Sequence, residues 1–208
     1  MKDIVIIGYS GHAYVVIETL NRMNRSVIGY FDTNEKEKNP YNLSYFGSEV
    51  EEKNLSEFKS KEFFVGIGNN LRRQMVFNKM VNKFGYSIPM NVIDPSAVIS
   101  STASFKNGVL VASNVAVNAL ADIGQGVILN TSSVIEHECI IGDFSHIAPG
   151  AVLAGNVTIG DRSFVGANSV IREGTKVGKD VVIGAGAVVT KDVPDGITII
   201  GNPWRKLR

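Results

Sequence analysis

The stretch IGQGVI LNTSSV IEHECI IGDFSH IAPGAV LAGNVT (residues 123–158), split into groups of six, begins every group with a large aliphatic residue. The same spacing runs without insertion from residue 93 to residue 194, and the fifth position of each group is small or β-branched. A period of six fits neither an α-helix nor an alternating strand. It is typical of a solenoid whose coil has three short flat faces. The sequence therefore predicts a left-handed parallel β-helix of seventeen groups, three to a coil.

The N-terminal part of the chain has a different periodicity, in which apolar runs alternate with helical patterns. Strands are predicted over residues 3–7, 26–31 and 62–67. Helices are predicted after the first strand and over residues 71–84, where Gly85 closes the second one. Strands that alternate with helices over short connections favour a small Rossmann-like parallel sheet of α/β type.

These periodicities divide the chain into three segments. We predict a Rossmann-like domain over residues 1–90, a β-helix domain over residues 91–194 and a C-terminal tail over residues 195–208. Because the ends of a solenoid expose strand edges, we expect the N-terminal domain to cover one end and the tail to cover the other.

Composition excludes several classes of partner. The net charge of +1 gives no electrostatic basis for a nucleic acid or an anionic membrane as a partner. Cys139 is the only cysteine, so an intrachain disulfide is impossible. Since no apolar run is long enough for a signal peptide or a membrane span, we predict a cytoplasmic protein.

His137 is the candidate catalytic residue of the β-helix. Residues eighteen apart stack in successive coils, so His137 is expected between Ala119 and Gly155, two small residues that leave room around its ring. Gly155 would expose its backbone N–H as an oxyanion donor, and Glu138 could fix the tautomer of the histidine and raise its basicity. A solvent-exposed corner residue without function is the alternative. Cys139 points inward and is expected to be core packing.

A second candidate site lies in the loop over residues 8–12, which joins the first strand to the first helix. A glycine-bearing loop at a helix N-terminus offers free N–H groups to a phosphate, although the GxGxxG spacing is absent. Asp32 ends the second strand, where a carboxylate binds a ribose in dinucleotide folds. The alternatives are a helix cap for Ser10 and a simple turn at residues 68–69.

The run VILNTSSVIEHECIIGDFSHIAPGAVLAGNVTIG (residues 127–160) resembles the active-site coils of the nucleotide-sugar acetyltransferases of the hexapeptide-repeat superfamily. It is most similar to enzymes that acetylate UDP-linked 4-amino sugars, as in bacillosamine biosynthesis, and next to sialic acid O-acetyltransferase-like proteins. The motifs IIGYSGHA (residues 6–13), YFDTN (30–34), GIGNN (66–70) and GNP (201–203) extend the resemblance over nearly the whole chain.

The resemblance implies a homotrimer that uses acetyl-CoA, without a metal, at clefts between neighbouring solenoids. His137 would be the general base that takes a proton from the 4-amino group of a nucleotide-linked amino-dideoxy sugar, and Glu138 would raise its basicity. The acetyl group would pass directly to the amine, because no plausible nucleophile is present. The acetyl-CoA path would be lined by His146, Gly155, Ala167 and Ala185.

The resemblance also assigns the N-terminal domain to the nucleotide sugar, expected to be UDP-linked. The phosphates and sugar would contact Ser10, Gly11 and His12. The nucleoside would face Asp32 and Thr33, and Gly68 would contact the ligand through its backbone. Thr33 stands where a second acidic residue is frequent in the bacillosamine enzymes.

Three other readings of the sequence are open. The first is O-acetylation of a sugar hydroxyl. The second is a zinc enzyme of the γ-carbonic anhydrase type, which needs three histidine ligands where this solenoid has two. The third is a non-catalytic nucleotide-sugar-binding protein. Trp204 in the tail is expected either to stack on the CoA adenine or to cover the last coil.

Overall fold

The two periodicities fold into two different parallel-sheet structures in the computed structural model, which describes residues 3–49, 61–83 and 89–207. The N-terminal domain contains strands β1 (Ile4–Ile7), β2 (Val27–Phe31), β3 (Ser44–Tyr45) and β4 (Glu62–Val65) and helices α1 (Gly11–Arg22) and α2 (Asn70–Asn78). A π-helical turn, Lys79–Lys83, follows α2. The predicted helix stop at Gly85 lies outside the described residues.

The N-terminal sheet has the strand order β3-β2-β1-β4, and all of its pairings are parallel. This confirms the predicted small Rossmann-like sheet. The central strand β1 is fully buried because both of its faces are covered: α1 packs on Ile4 and Ile6, and a second cluster that includes Phe77 and Phe144 contains Val5 and Ile7. Strand β3 was not predicted, since its two residues lie in a polar stretch without a strand pattern.

The β-helix consists of two-residue strands separated by four-residue corners. The strands are β5 (Val92–Ile93), β6 (Val98–Ile99), β7 (Ser104–Phe105), β8 (Leu110–Val111), β9 (Ala116–Val117), β10 (Asp122–Ile123), β11 (Ile128–Leu129), β12 (Val134–Ile135), β13 (Ile140–Ile141), β14 (His146–Ile147), β15 (Val152–Leu153), β16 (Thr158–Ile159), β17 (Phe164–Val165), β18 (Val170–Ile171), β19 (Lys176–Val177), β20 (Val182–Ile183) and β21 (Val188–Val189). The tail adds β22 (Thr198–Ile200) and β23 (Arg205–Lys206). Every strand from β5 to β21 pairs in parallel with strands eighteen residues away, which confirms the predicted parallel β-helix.

These strands form the three faces of a triangular prism. Sheet I contains β5, β8, β11, β14, β17, β20, β22 and β23; sheet II contains β6, β9, β12, β15, β18 and β21; sheet III contains β7, β10, β13, β16 and β19. A corner of the prism is called an edge and takes the names of the two sheets that meet there, so edge II–III joins sheets II and III. The first residue of each group points inward and forms one continuous core, as predicted.

Each corner requires one residue with a positive φ angle. From Gly108 to Gly186 the fourth residue of every group has φ between 54 and 71°. Five glycines and three asparagines, the residue types that adopt this conformation at least cost, occupy eight of the fourteen positions. The residue type at the fourth position is therefore a second sequence signal of the β-helix, and it is independent of the apolar pattern at the inward positions.

The N-terminal domain packs on a face of the prism, and the expectation that it covers one end was wrong. Val92, Leu110 and Ile128 are the outward residues of the first three strands of sheet I, and they share a buried cluster with β1 and α1. At the first coil, by contrast, Ile93 and Phe105 are only partly buried. The domain lies over sheet I because these outward residues are large and apolar.

The tail covers the last coil, as expected. Strand β22 pairs in parallel with β20 and antiparallel with β23, so the tail extends sheet I. Trp204 packs against the core cluster of the β-helix, and the Lys191 ammonium lies 5.0 Å from the centre of its ring. Trp204 thus covers the last coil, which was one of the two expectations for it.

The inward residues at the first position of each group should dominate the stability of the β-helix. Leu129 is fully buried in the core, and Leu129→Ala should lower the free energy of unfolding by about 3 kcal/mol, because it leaves a cavity between coils. Leu120→Ala is the matched control, since Leu120 is 62% exposed, and it should change stability by no more than about 0.5 kcal/mol. Urea unfolding at one protein concentration measures both, and equal losses would contradict the assignment of the core.

Candidate active site

His137 lies on edge II–III, in the corner between β12 and β13. A Cβ atom added to Gly155 would lie 2.5 Å from Cε1 and Nε2 of the His137 ring, so the ring stacks directly on this glycine, as predicted. The Nδ1 atom of His137 is 3.1 Å from Oε2 of Glu138. A carboxylate at this distance favours the Nδ1–H tautomer, which leaves a lone pair on Nε2. Both side chains are more than half exposed, so a substrate can reach the pair from solvent.

Ser10 and Gly11 lie at the exposed start of α1. Ser10 occupies the N-cap position with an extended backbone, but its side chain makes no capping hydrogen bond. A Cβ atom at Gly11 would meet nothing within 4 Å. Both residues line a groove together with Tyr14 and residues 35–38, which are two glutamates and two lysines. The helix start is therefore accessible to an anionic ligand, in a groove whose lysine charges are balanced by glutamates.

Asp32 is buried beneath this groove and uses its carboxylate within the protein. Its oxygens accept hydrogen bonds from the backbone N–H of Tyr9 at 2.8 Å and from the N–H and hydroxyl of Thr33 at 2.7 and 3.1 Å. The Lys36 ammonium lies 2.9 Å away. Burial alone would raise the pKa of Asp32, but these hydrogen bonds and the Lys36 charge outweigh it and lower the pKa. Asp32 thus fixes the loop on which Ser10 lies, while Thr33 is exposed.

The structure brings together His12 and His146, which the sequence assigned to two different ligands. His146 is an outward residue of sheet I and is covered by the N-terminal domain, so that only 9% of it is exposed. Its ring centre is 6.2 Å from that of His12 and 5.0 Å from that of Phe164, and its Nε2 atom is 3.1 Å from the Asn130 amide nitrogen. A Cβ atom on Gly68 would lie 3.5 Å from Cβ of His12. His12, Gly68 and His146 therefore form one cluster between the two domains.

Both clustered histidines are held in the neutral form. Burial lowers the pKa of His12 to about 4, and the nearby Arg73 charge adds to the effect. Burial, Arg73 and His12 lower the pKa of His146 to about 3. Nε2 of His12 and Nδ1 of His146 are buried without a hydrogen-bond partner. Each ring therefore has one buried nitrogen that no hydrogen bond satisfies.

Arg73 is the residue of this region that sequence reasoning missed. It lies on α2 and is 1% exposed, although its helix reads as basic and amphipathic. Its guanidinium reaches backbone carbonyls of both domains. Arg73 lies one turn before the buried Phe77, on the inward face of the helix, but the acceptors that hold a buried guanidinium are main-chain atoms, which give no sequence signal.

The remaining predicted residues lie on different edges of the prism. Gly155 shares edge II–III with His137, whereas Ala167 and Ala185 lie on edge I–II, between sheet I and sheet II. Edge II–III is opposite sheet I in a triangular prism, so His137 is on the far side from His12. His137 and His146 are nine residues apart, which is half a coil and about 2.4 Å in height. One chain thus carries His137 and the His12–His146 cluster at nearly the same height but on opposite sides of the prism.

Comparison with known proteins identifies the family. The PglD N-terminal domain matches residues 3–80, the bacterial transferase hexapeptide (six repeats) matches residues 121–155, and the hexapeptide repeat of succinyl-transferase matches residues 156–191. A histidine-to-asparagine variant of perosamine N-acetyltransferase from Caulobacter crescentus, in complex with CoA and GDP-perosamine, is 35% identical, with a TM-score of 0.93 over 100% of this chain and 98% of that one. The chain belongs to the hexapeptide-repeat nucleotide-sugar acetyltransferases.

Two further structures support this family. The acetyltransferase domain of PglB from Neisseria gonorrhoeae, in complex with acetyl coenzyme A, is 32% identical, with a TM-score of 0.90 over 99% of both chains. WeeI from Acinetobacter baumannii is 26% identical, with a TM-score of 0.84 over the full length of both chains. No curated protein matches the sequence of this acetyltransferase.

Within the described ranges, the acetyltransferase has no group of three or more histidine, cysteine or acidic side chains that could hold a metal ion. No helix in those same ranges is long and apolar enough to cross a bilayer.

The two buried histidines should make the stability of the acetyltransferase depend on pH. Folding lowers both pKa values from 6.5, so below that pH the unfolded chain binds more protons than the folded one. Stability should therefore fall as the pH drops from 6.5 towards 4, by about 1 kcal/mol per pH unit for each histidine.

Urea unfolding at pH 7, 6 and 5 measures this slope. The double substitution His12→Gln and His146→Gln should flatten it, whereas His137→Gln, at an exposed position, should not. The same slope in the double variant and the wild type would show that other groups cause it.

Proposed function

We propose that this chain is an acetyl-CoA-dependent N-acetyltransferase that acts on the 4-amino group of a nucleotide-linked amino-dideoxy sugar. The observation that carries the proposal is the His137–Glu138 pair, which stands on Gly155 at an edge where both side chains are more than half exposed. The family membership supports the acetyl donor. The exposed start of α1, with Ser10 and Gly11, supports an anionic ligand on the N-terminal domain.

In the proposed reaction, the amine nitrogen attacks the thioester carbonyl of acetyl-CoA. His137 takes a proton from the amine through Nε2 as the C–N bond forms. Glu138 stabilises the resulting imidazolium through Nδ1–H. The C–S bond then breaks, and the proton passes to the sulfur of CoA. The N–H of Gly155 would donate to the carbonyl oxygen while that oxygen is negatively charged.

Direct transfer is supported by the state of the only cysteine. Cys139 is fully buried, and its thiol donates to the Ala154 carbonyl inside the prism. Burial raises the pKa of this thiol, which disfavours the reactive thiolate. An acetyl-enzyme on Cys139 would need both an accessible sulfur and an ionised one.

Sheet II supports assembly as a trimer. All six of its outward residues are aliphatic: Val98, Ala116, Val134, Val152, Val170 and Val188. Sheet III, by comparison, presents Ser104, Asp122, Ile140, Thr158 and Lys176. An aliphatic face of this length on a soluble fold marks a surface for association. Three copies would bury it if sheet II of each faced a common threefold axis.

This arrangement would also complete the active site. With sheet II on the axis, edge II–III of one protomer lies beside edge I–II of the next. His137 and Gly155 of one copy would then approach Ala167 and Ala185 of its neighbour, which would together line the pantetheine path. The N-terminal domain on sheet I of that neighbour would present the nucleotide sugar. His137 and His146 differ in height by only half a coil. The base of one protomer and the N-terminal domain of the next would therefore lie at nearly the same height along the prism.

UDP is the nucleotide that we propose, and a GDP-linked sugar is the second candidate. The 35% identical Caulobacter crescentus enzyme was crystallised with GDP-perosamine. In this chain His12, Thr33 and Gly68 are the residues that we assign to the nucleotide sugar, together with Ser10, Gly11 and the loop held by Asp32. His146, which contacts the same cluster, would face the acetyl group from the side opposite to His137.

Thiol release from acetyl-CoA tests the reaction. The wild type should turn over one member of a panel of UDP-, GDP- and dTDP-linked 4-amino-4,6-dideoxy sugars, and none of their 4-hydroxy counterparts. Turnover of hydroxyl sugars alone would make the enzyme an O-acetyltransferase. Binding without turnover of any member would favour a non-catalytic nucleotide-sugar-binding protein.

His137→Ala should lower kcat by about a hundredfold or more, because the reaction loses its general base. The melting temperature should stay at the wild-type value, since the side chain is more than half exposed. His137→Gln keeps the size and polarity of the position without its basicity, and it should lose as much activity as His137→Ala. An unchanged kcat in either variant would remove His137 from the mechanism.

Val170→Glu should disrupt the trimer, because it would place a carboxylate in each copy of an otherwise aliphatic interface. Ile140→Glu is the matched control: Ile140 is 50% exposed on sheet III and Val170 is 42% exposed on sheet II. Sedimentation velocity should show protomers for Val170→Glu and trimers for Ile140→Glu. The reverse result would place the interface on sheet III.

A further inference from the structure

Arg73 is a fully buried cation whose hydrogen bonds all go to neutral oxygens. Its guanidinium donates to six acceptors: the carbonyls of Gly126 (2.7 Å), Ile67 (3.1 Å), Gly68 (3.0 Å), Phe144 (2.7 Å) and Ser145 (3.3 Å) and Oδ1 of Asn70 (2.9 Å). Among the described residues no carboxylate bonds to it. Burial lowers its pKa to about 9, so it remains protonated at neutral pH.

A buried charge without a counter-ion is unfavourable, and an apolar side chain could fill the same volume. The acceptors of the guanidinium belong to both domains. It can therefore hydrogen-bond the two domains to each other, which an apolar side chain cannot do. Ile67, Gly68 and Asn70 follow strand β4 of the N-terminal domain. Gly126 and Phe144 lie in consecutive coils on edge III–I. One planar group with five N–H donors therefore fixes the loop after β4 against two coils of the β-helix.

The loop that Arg73 holds is in contact with the histidine cluster. Gly68 lies against His12, and its carbonyl accepts a hydrogen bond from Arg73. His146 directly follows Ser145, whose carbonyl accepts another. Arg73 thus sets the position of one residue on each side of the cluster. Asn70 supports the same contact, because its side-chain amide donates to the carbonyls of Arg162 and Ser163 on edge III–I.

We propose that Arg73 is the positioning residue of the nucleotide-sugar site: its guanidinium holds Gly68 and His12 of the N-terminal domain over His146 of the β-helix, in the arrangement that binds the ligand. The inference rests on the proposed function, since it takes the nucleotide sugar as that ligand. The charge of Arg73 also disfavours protonation of both histidines, which keeps them able to accept as well as donate a hydrogen bond. A diphosphate bound beside the cluster would supply the negatively charged counter-ion that the Arg73 guanidinium lacks within the protein.

Arg73→Lys and Arg73→Met test this role. Lysine keeps the charge without the planar fork, and methionine removes both. Arg72→Met is the matched control, because Arg72 is the exposed neighbour on the same helix. Calorimetric titration with UDP, with GDP and with acetyl-CoA measures the binding sites separately. Both Arg73 variants should bind the preferred nucleoside diphosphate about tenfold or more weakly, the scale of lost hydrogen bonds to a charged group. Their acetyl-CoA affinity should stay within about twofold of wild type.

The three histidines supply a second readout that requires no ligand. In protein labelled with carbon-13 at histidine Cε1, the His12 and His146 resonances should shift in both Arg73 variants. In Arg73→Met they should also titrate at a higher pH, because the repelling cation is gone. The His137 resonance, from the opposite edge, should be unchanged, as should all three resonances in Arg72→Met.

Wild-type nucleotide affinity and unchanged His12 and His146 resonances in Arg73→Lys would overturn the proposal, even if its melting temperature falls. That result would make Arg73 a purely structural bond between the domains. If Arg73→Met does not fold, Arg73→Lys decides the question alone. If the wild type binds neither UDP nor GDP and acetylates no sugar, the proposed function fails. The histidine spectra then still test Arg73: shifted resonances support its positioning of the cluster, and unchanged ones overturn it.

Discussion

The structure depends on one constraint, which is that each residue of the β-helix must lie above the residue eighteen positions earlier. Backbone hydrogen bonds tie every coil to the next, as from the Ser104 N–H to the Ala121 carbonyl and from the Asp122 N–H to the Cys139 carbonyl. A positive φ angle at the fourth position of each group turns the chain at the corner. An insertion of one residue would break both conditions for all later coils. This constraint explains why the repeat of six residues runs without an insertion.

The same stacking builds the corner that we propose to be catalytic and the face on which the N-terminal domain docks. It places Gly155 directly over the His137 ring, where a side chain of any size would collide. It also aligns Val92, Leu110 and Ile128 in one column on sheet I, which the N-terminal domain covers. Because a prism has three sides, an edge and the face opposite to it cannot meet within one chain. Within one chain the prism therefore keeps apart the two halves of the proposed site, which are the His137 edge and the N-terminal domain on sheet I.

Much of this could be predicted from the sequence, because the periodicity determines which residues point inward. The strands, the parallel pairing and the stacking of His137 on Gly155 all follow from counting in sixes. The docking of the N-terminal domain does not, since it depends on three outward residues, Val92, Leu110 and Ile128, which are spaced eighteen residues apart and of which the first precedes the repeat. The burial of Arg73 was also beyond the sequence, because carbonyl acceptors have no residue type. The resemblance groups Ala167 with Gly155, although their separation of twelve residues, two-thirds of a coil, already places them on different edges.

The central claim is that one active site takes its nucleotide sugar from one protomer and its base from the next. Mixed trimers made by co-expression of His137→Ala and His12→Ala chains test it most directly, once each variant alone has been shown to have lost turnover. If the site is shared, a His137→Ala chain can lend its intact N-terminal domain to the intact His137 of a His12→Ala neighbour. Random assembly should then restore about a quarter of the wild-type rate of thiol release. A mixed preparation as inactive as the separate variants would contradict the claim.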